Sequence, residues 1–185
     1  MNEDRRQDWG NDQNKHQRRT EQCGSTVNTA FAFLADVAGL EWAIEQTLIC
    51  RCSRPLDVSA LHSISPEAYA GIRFSLRGGT TLIQSPYPVL GIWQANQTPD
   101  PKTIDLAEGG ETLVVIREAD TAEVHRLDSN TYALAECFAS GLTLADANEE
   151  FCARTGFDLS ASLNSLFINR CLGNFELQTG NPHAR

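Results

Sequence analysis

The sequence predicts an α+β fold: a half built of helices and a β-hairpin, then a second half made of a hairpin followed by three helices. Three observations predict it. Apolar residues recur at steps of three and four over residues 30–50, the signature of one buried helix face. Ile72, Phe74 and Leu76 alternate with Arg73, Ser75 and Arg77, the two-residue period of a half-buried strand. In the second half two β-branched runs precede three helical runs, each opened by a capping residue and closed by glycine.

In the first helix, residues 30–50, the buried stripe is Phe33, Val37, Leu40, Ile44 and Leu48. Residues 51–55 break it, because Pro55 cannot continue a helix interior. A short helix over 65–71 is opened by Ser65 as N-cap, Pro66 at the first helical position and Glu67 in the first turn. The strand from Ile72 runs to Gly78-Gly79, after which residues 80–83 either return as the second strand of a tight hairpin or prolong one bulged strand. Beyond Pro86 and Pro88 lies a short helix over 89–96, and Pro99, Pro101 and Gly109-Gly110 mark residues 97–110 as connecting chain. The resulting division is a disordered polar tail (1–29), a helix and hairpin half (30–100), a linker (101–110), a hairpin plus three-helix unit (111–178) and a flexible end (179–185).

That unit opens with the strand TLVVIR, residues 112–117, a turn over 118–122 and the returning strand EVHRL, residues 123–127. Asp128 or Ser129 caps a helix ended by Gly141, Thr143 caps a second running to Arg154 and ended by Gly156, and Asp158 or Ser160 opens a third ended by Gly173.

A chain of 185 residues, 41% apolar and 21% charged, buries a sizeable core as one domain or two small ones. Asp36, Glu41 and Glu45 interrupt the longest apolar stretch and keep it out of a bilayer. The first 22 residues lack an apolar secretory core, so a cytoplasmic location with six reduced cysteines (Cys23, Cys50, Cys52, Cys137, Cys152, Cys171) is expected. A formal charge of −9 argues against neutralising nucleic-acid phosphates.

The sequence contains no P-loop, dinucleotide-binding, zinc-protease or nucleophile-elbow motif. Cys50 and Cys52 have neither the usual spacing nor the four ligands of a structural zinc site, and Glu41 with Glu45 reads as a solvated helix face. No catalytic residue and no metal site is expected. The sharper signal lies in the third helix of the second half. Leu159, Leu163 and Leu166 share its core face with Phe167 on the flank, whereas Ile168 falls nearly opposite with Asn164 and Cys171 beside it. An apolar strip outside the core face either packs on the first half of the chain or marks a contact with another molecule. With residues 123–127 as an edge strand beside it, strand and helix would wall a groove that accepts a peptide as an added strand. Val124, His125 and Arg126 would form the strand side; Asn164, Phe167, Ile168 and Cys171 the helix side.

The run VHRLDSNTYALAECFASGLTLADANEEFCARTGFDLSASLNSLFINRCLGNFEL resembles the precursor-peptide recognition element of systems that modify ribosomally made peptides, an element similar to the PQQ-biosynthesis peptide chaperone. More specific are FLADVAGLEWAIEQ and PLDVSALHSISPEAYAGIRFSLRGGTTLIQSPYPVLGIWQANQ. There Asp36, Glu41, Trp42, Pro55, Leu56, Asp57, Ser85, Tyr87, Pro88, Ile92, Trp93 and Asn96 stand where the HvfC/BufC family of peptide-modification chaperones carries similar residues. The resemblance covers roughly residues 33–177. It implies a partner subunit for a multinuclear non-haem iron enzyme that oxidatively remodels cysteines of a precursor peptide, often in copper-linked gene clusters, with the iron in the partner and no cofactor in this chain. By that resemblance Glu41, Trp42, Tyr87, Pro88 and Trp93 would face the enzyme; the physical alternative for Trp42, Tyr87 and Trp93 is that they are large core anchors. Family members usually begin with a helical domain described as DNA-binding, and here a short polar tail stands in its place.

The sequence thus leads to the expectation of a non-catalytic cytoplasmic adaptor that holds a Cys-containing precursor peptide by strand addition and presents it to an iron enzyme. The alternative is a winged-helix transcriptional regulator, since a hairpin with three helices also builds that DNA-reading module. Its reading helix should be basic, yet residues 161–172 hold one Arg and no Lys.

Overall fold

The computed structural model describes residues 31–100, 103–151 and 156–178. The expected polar tail and flexible end, Cys23, Cys152 and the expected helix end at Arg154 lie outside them. The described chain is α+β, as predicted. In order it forms α1 (Ala32–Ile49), β1 (Ile72–Leu76), β2 (Thr81–Ser85), α2 (Val89–Asn96), β3 (Glu111–Glu118), β4 (Thr121–Leu127), α3 (Ser129–Ala139), α4 (Leu144–Phe151), α5 (Leu159–Ile168) and β5 (Leu172–Leu177). Tight 3-10 turns occupy Val58–Ser63, Pro66–Gly71 and Leu106–Glu108. No described helix is long and apolar enough to cross a membrane.

Strand pairing departs from the sequence expectation. β1 and β2 do not form a hairpin. β1 pairs antiparallel with β5, and β2 pairs antiparallel with β3, which pairs in turn with β4. Gly79, at φ +83°, carries the chain from one sheet to the other, a conformation open to glycine at little cost. Both sheets therefore join residues from before and after the connecting segment expected at 101–110. The third helix also ends earlier than expected. Its C-cap is Asn169, Arg170 takes φ +52°, and Gly173 lies inside β5. There the register slips between Ser75 and Leu76, and a Cβ on Gly173 would stand 2.8 Å from the Arg77 Cα. The glycine answers a close strand approach, not a helix end.

β3 is buried on both faces. Leu113 and Val115 pack with Val37, Leu40 and Ala43 of α1 and Val89 and Leu90 of α2. Val114 and Ile116 point the other way, into a larger core with Ile72, Phe74, Leu134, Phe138, Phe151, Leu166 and Leu172. The continuous apolar run of TLVVIR reflects this double burial. α1 leaves the sheet with its last carbonyls capped by a cation: Arg117 Nη1 donates to the Leu48 and Cys50 carbonyls at 2.7 and 3.1 Å. At the other end of β3, Gly110 passes so near the end of β2 that a Cβ would lie 2.5 Å from the Ser85 carbonyl oxygen.

Helix starts follow their caps. Asp128 accepts from the Asn130 and Thr131 N–H groups at the head of α3. Thr143 and Asp146 close a reciprocal box on α4, with the Thr143 N–H donating to Asp146 and the Asp146 N–H to Thr143 Oγ1. Asp158 accepts from the Ala161 N–H on α5. Burial raises the Asp128 carboxyl pKa, but hydrogen bonds from the Thr131 hydroxyl and from the Thr131 and Asn130 backbone outweigh it and hold the group below its usual value.

Gly110→Ala should lower stability by roughly 1–3 kcal/mol, the ordinary cost of forcing a methyl into packed backbone, read as a shifted urea midpoint at unchanged slope. Asp128→Ala should cost about 1 kcal/mol at neutral pH. Because the folded carboxyl is depressed, the wild-type advantage should be full above the unfolded carboxylate pKa and vanish as pH falls through the folded value. An advantage independent of pH between neutrality and pH 2 would contradict the cap.

Candidate functional site: the open edges of the central sheet

Among the described residues β3 is the only strand paired with β4. The two-residue turn at Ala119 and Asp120 makes Glu118 and Thr121 the closing pair. Alternation along such a hairpin leaves the N–H and C=O groups of Ala122, Val124 and Arg126 on the outer edge. The segment that carries α5 is tied at both ends to residues that flank β4. Near its start, Asn130 Nδ2, just past β4, donates to the Gly156 carbonyl at 3.3 Å. Past its end, Arg170 pairs with Glu118, just before β4. Glu118 also faces the buried Arg77 at 3.5 Å, and the Arg170 hydrogen bond, with help from Arg77, lowers its carboxyl pKa against the opposing effect of burial.

The residues expected to line the groove divide by face. Ile168 is 71% exposed, so it does not pack on the first half of the chain. Asn164 is exposed on the same helix, and half-buried His125 lies on the sheet face that carries Val114, with Nε2 3.2 Å from Glu123 Oε2. Phe167 is partly committed inward, its ring edge-on to Phe74 at 5.9 Å. Val124 pairs with Val115 and packs on the opposite face, beneath α1. Arg126 is held by Glu111 at 2.7 Å, while the other Glu111 oxygen accepts from the Leu90 N–H. Cys171 is fully buried, and that burial pushes its thiol up to about 12, so its side chain offers nothing to a surface groove. Placing it beside Ile168 assumed a helix that continues to residue 172, whereas the chain leaves α5 at Asn169.

The five residues expected at an enzyme interface also divide. Trp42 is 67% exposed, which rules it out as a core anchor, and Glu41 is exposed beside it. Tyr87 and Trp93 are half-buried against the α1 cluster, and Pro88 is buried. Other residues in the same motif have structural roles: Ser85 Oγ donates to Asp36 at 2.6 Å and accepts from the Tyr87 N–H at 3.1 Å, while Asp57 caps the Val58–Ser63 turn.

A second open edge was missed in the sequence. β2 pairs only with β3 among the described residues, and Thr81, Leu82, Ile83 and Gln84 form one wall of a groove of about 470 Å³ whose other wall is α1. The one available signal was Gly39 in the middle of a helical run. Elsewhere, no group of three or more His, Cys, Asp or Glu suited to a metal gathers among the described residues.

Comparison with protein-family models, with curated proteins and with solved structures finds no match to this chain.

The thiols give a direct check on the site. Cys50 is exposed and should react with a maleimide at pH 7.5 within minutes in the folded protein. Cys171 should remain unmodified until the chain is unfolded in guanidinium. Mass mapping of labelled peptides distinguishes them, and early labelling of Cys171 would place it back in the groove.

Proposed function

We propose that this chain is a non-catalytic cytoplasmic adaptor that binds a ribosomally made, Cys-containing precursor peptide as an added strand and presents it to a multinuclear iron enzyme. The observation that carries the reading is the outer edge of β4, unpaired among the described residues, with the two ends of the α5 segment tied to residues that flank β4 and Ile168 standing exposed on that helix. Main-chain groups at the edge supply affinity for any extended segment, and the apolar side chain beside them supplies selection. Narrowed to the accessible side chains, the candidate surface is His125, Asn164, Ile168 and the outer rim of Phe167, with the backbone of Val124 and Arg126 at the edge. The resemblance of residues 33–177 to peptide-modification chaperones supplies the nature of the partner, and in this reading iron and the oxidation of cysteine belong to that partner.

The DNA-binding alternative has weaker support. α5, LSASLNSLFI, contains no Lys or Arg, although the helix that reads a major groove meets phosphates and guanine edges chiefly with those residues.

Co-expression with the neighbouring genes and affinity purification should recover an iron-containing enzyme and a small Cys-containing peptide. Ile168→Asp should weaken retention of the peptide about tenfold, equivalent to ~1.4 kcal/mol, while leaving the enzyme bound. Recovery of neither partner, with tight salt-sensitive DNA binding instead, would refute the proposal.

A further inference from the structure

The groove between α1 and β2 is independent of the β4 edge and lies on the other side of the same sheet. Ala35, Asp36, Gly39, Trp42, Ala43 and Gln46 project into it from one side of α1, opposite Thr81–Gln84. Register through β3 leaves Leu82 and Gln84 with their N–H and C=O groups turned outward, since Val115 and Leu113 face Thr81 and Ile83 in the hydrogen-bonded pairs.

Two further observations point to an occupant. Gly39 sits inside an 18-residue helix, where glycine costs roughly 0.5–1 kcal/mol relative to alanine. A Cβ there would meet nothing within 4 Å, so no contact among the described residues requires the glycine. Trp42, on the same side of the helix, is 67% exposed and lines the groove. Charge decides the kind of occupant. Asp36 is the one ionisable residue in the lining, α1 carries Asp36, Glu41 and Glu45 without a single Lys or Arg, and the whole chain has a formal charge of −9.

We propose that this groove binds an extended, Lys- or Arg-bearing segment of a partner protein as a strand added to β2, with a cationic side chain over the Trp42 ring and near the Asp36 carboxylate. Backbone pairing at Leu82 and Gln84 provides the register, and a cation over an indole face is the strongest such contact among aromatic residues. Gly39 leaves the floor low enough for that segment to lie against the helix.

The test uses the full chain and a ten-residue peptide of alternating Lys and Val as probe, with two comparison peptides: a Glu–Val counterpart and a Lys–Val peptide N-methylated at alternate amides. In NMR titrations the Lys–Val peptide should produce saturable shifts of the Leu82 and Gln84 amides and of the Trp42 indole N–H, assigned with Trp42→Phe. Binding should fall at least tenfold for each comparison peptide and in Trp42→Ala and Gly39→Gln, and should weaken with added salt. Both substituted positions face open space, and thermal melts confirm that the variants are folded. Equal binding of the Glu–Val or N-methylated peptide, or shifts at Ala122 and Val124 instead of β2, would overturn the proposal. So would a concentration-dependent dimer by light scattering that Trp42→Ala abolishes, since the occupant would then be a second copy. Ile168→Asp reports only on the β4 edge, so either groove can fail without the other.

Discussion

Burial of β3 on both faces is the constraint on which the rest of the structure depends. Its odd-numbered apolar residues, Leu113 and Val115, belong to the core under α1 and α2, and its even-numbered ones, Val114 and Ile116, belong to the core of α3, α4, α5 and the β1–β5 ribbon. A strand with side chains committed on both sides cannot slip by one residue without exchanging two complete sets of contacts, so register throughout the three-stranded sheet is fixed at its centre. β2 and β4 inherit that register and become its two edges.

The same arrangement explains why the edges are open. Each face of the sheet is covered by helices, but β2 and β4 have no outer neighbour among the described residues. Open edges invite non-specific pairing, and short strands and charged neighbours are the usual protection. Here β2 is five residues long, and β4 carries Glu123 and Arg126 among its seven. The chain's net negative charge adds repulsion between copies, while a partner segment of opposite charge would be drawn in.

Besides the apolar core they share, a polar cluster at the end of β1 ties the two sheets together. Arg77, 6% exposed at the end of β1, donates through Nε to the Ser53 carbonyl at 2.7 Å and faces Glu118, which also binds Arg170 beyond α5. Removing one partner of such a group leaves a buried charge unmatched, so the cluster specifies one arrangement more than it adds to stability. It fixes where α5 ends relative to the β3–β4 turn, and hence the line along which Ile168 faces outward.

Local signals in the sequence determined most elements: the period of α1, the apolar run of β3, the turn before β4 and the caps Asp128, Thr143 and Asp158. These depend on neighbours within a few residues, which is why they are legible in one chain. The edge position of β4 among the described residues, and Ile168 off the core face of the third helix, were legible for the same reason. Pairing partners were decided only by the tertiary structure. Nothing local tells β1 to choose β5 over the adjacent β2, because that choice rests on the close approach of Gly173 to Arg77 and on burial of Phe74 among residues 64 to 101 positions away, such as Phe138 and Phe175. The sides taken by Val124 and Cys171, the exposure of Trp42 and the second groove follow from that packing, since which face of a strand or helix meets solvent is a property of what covers it.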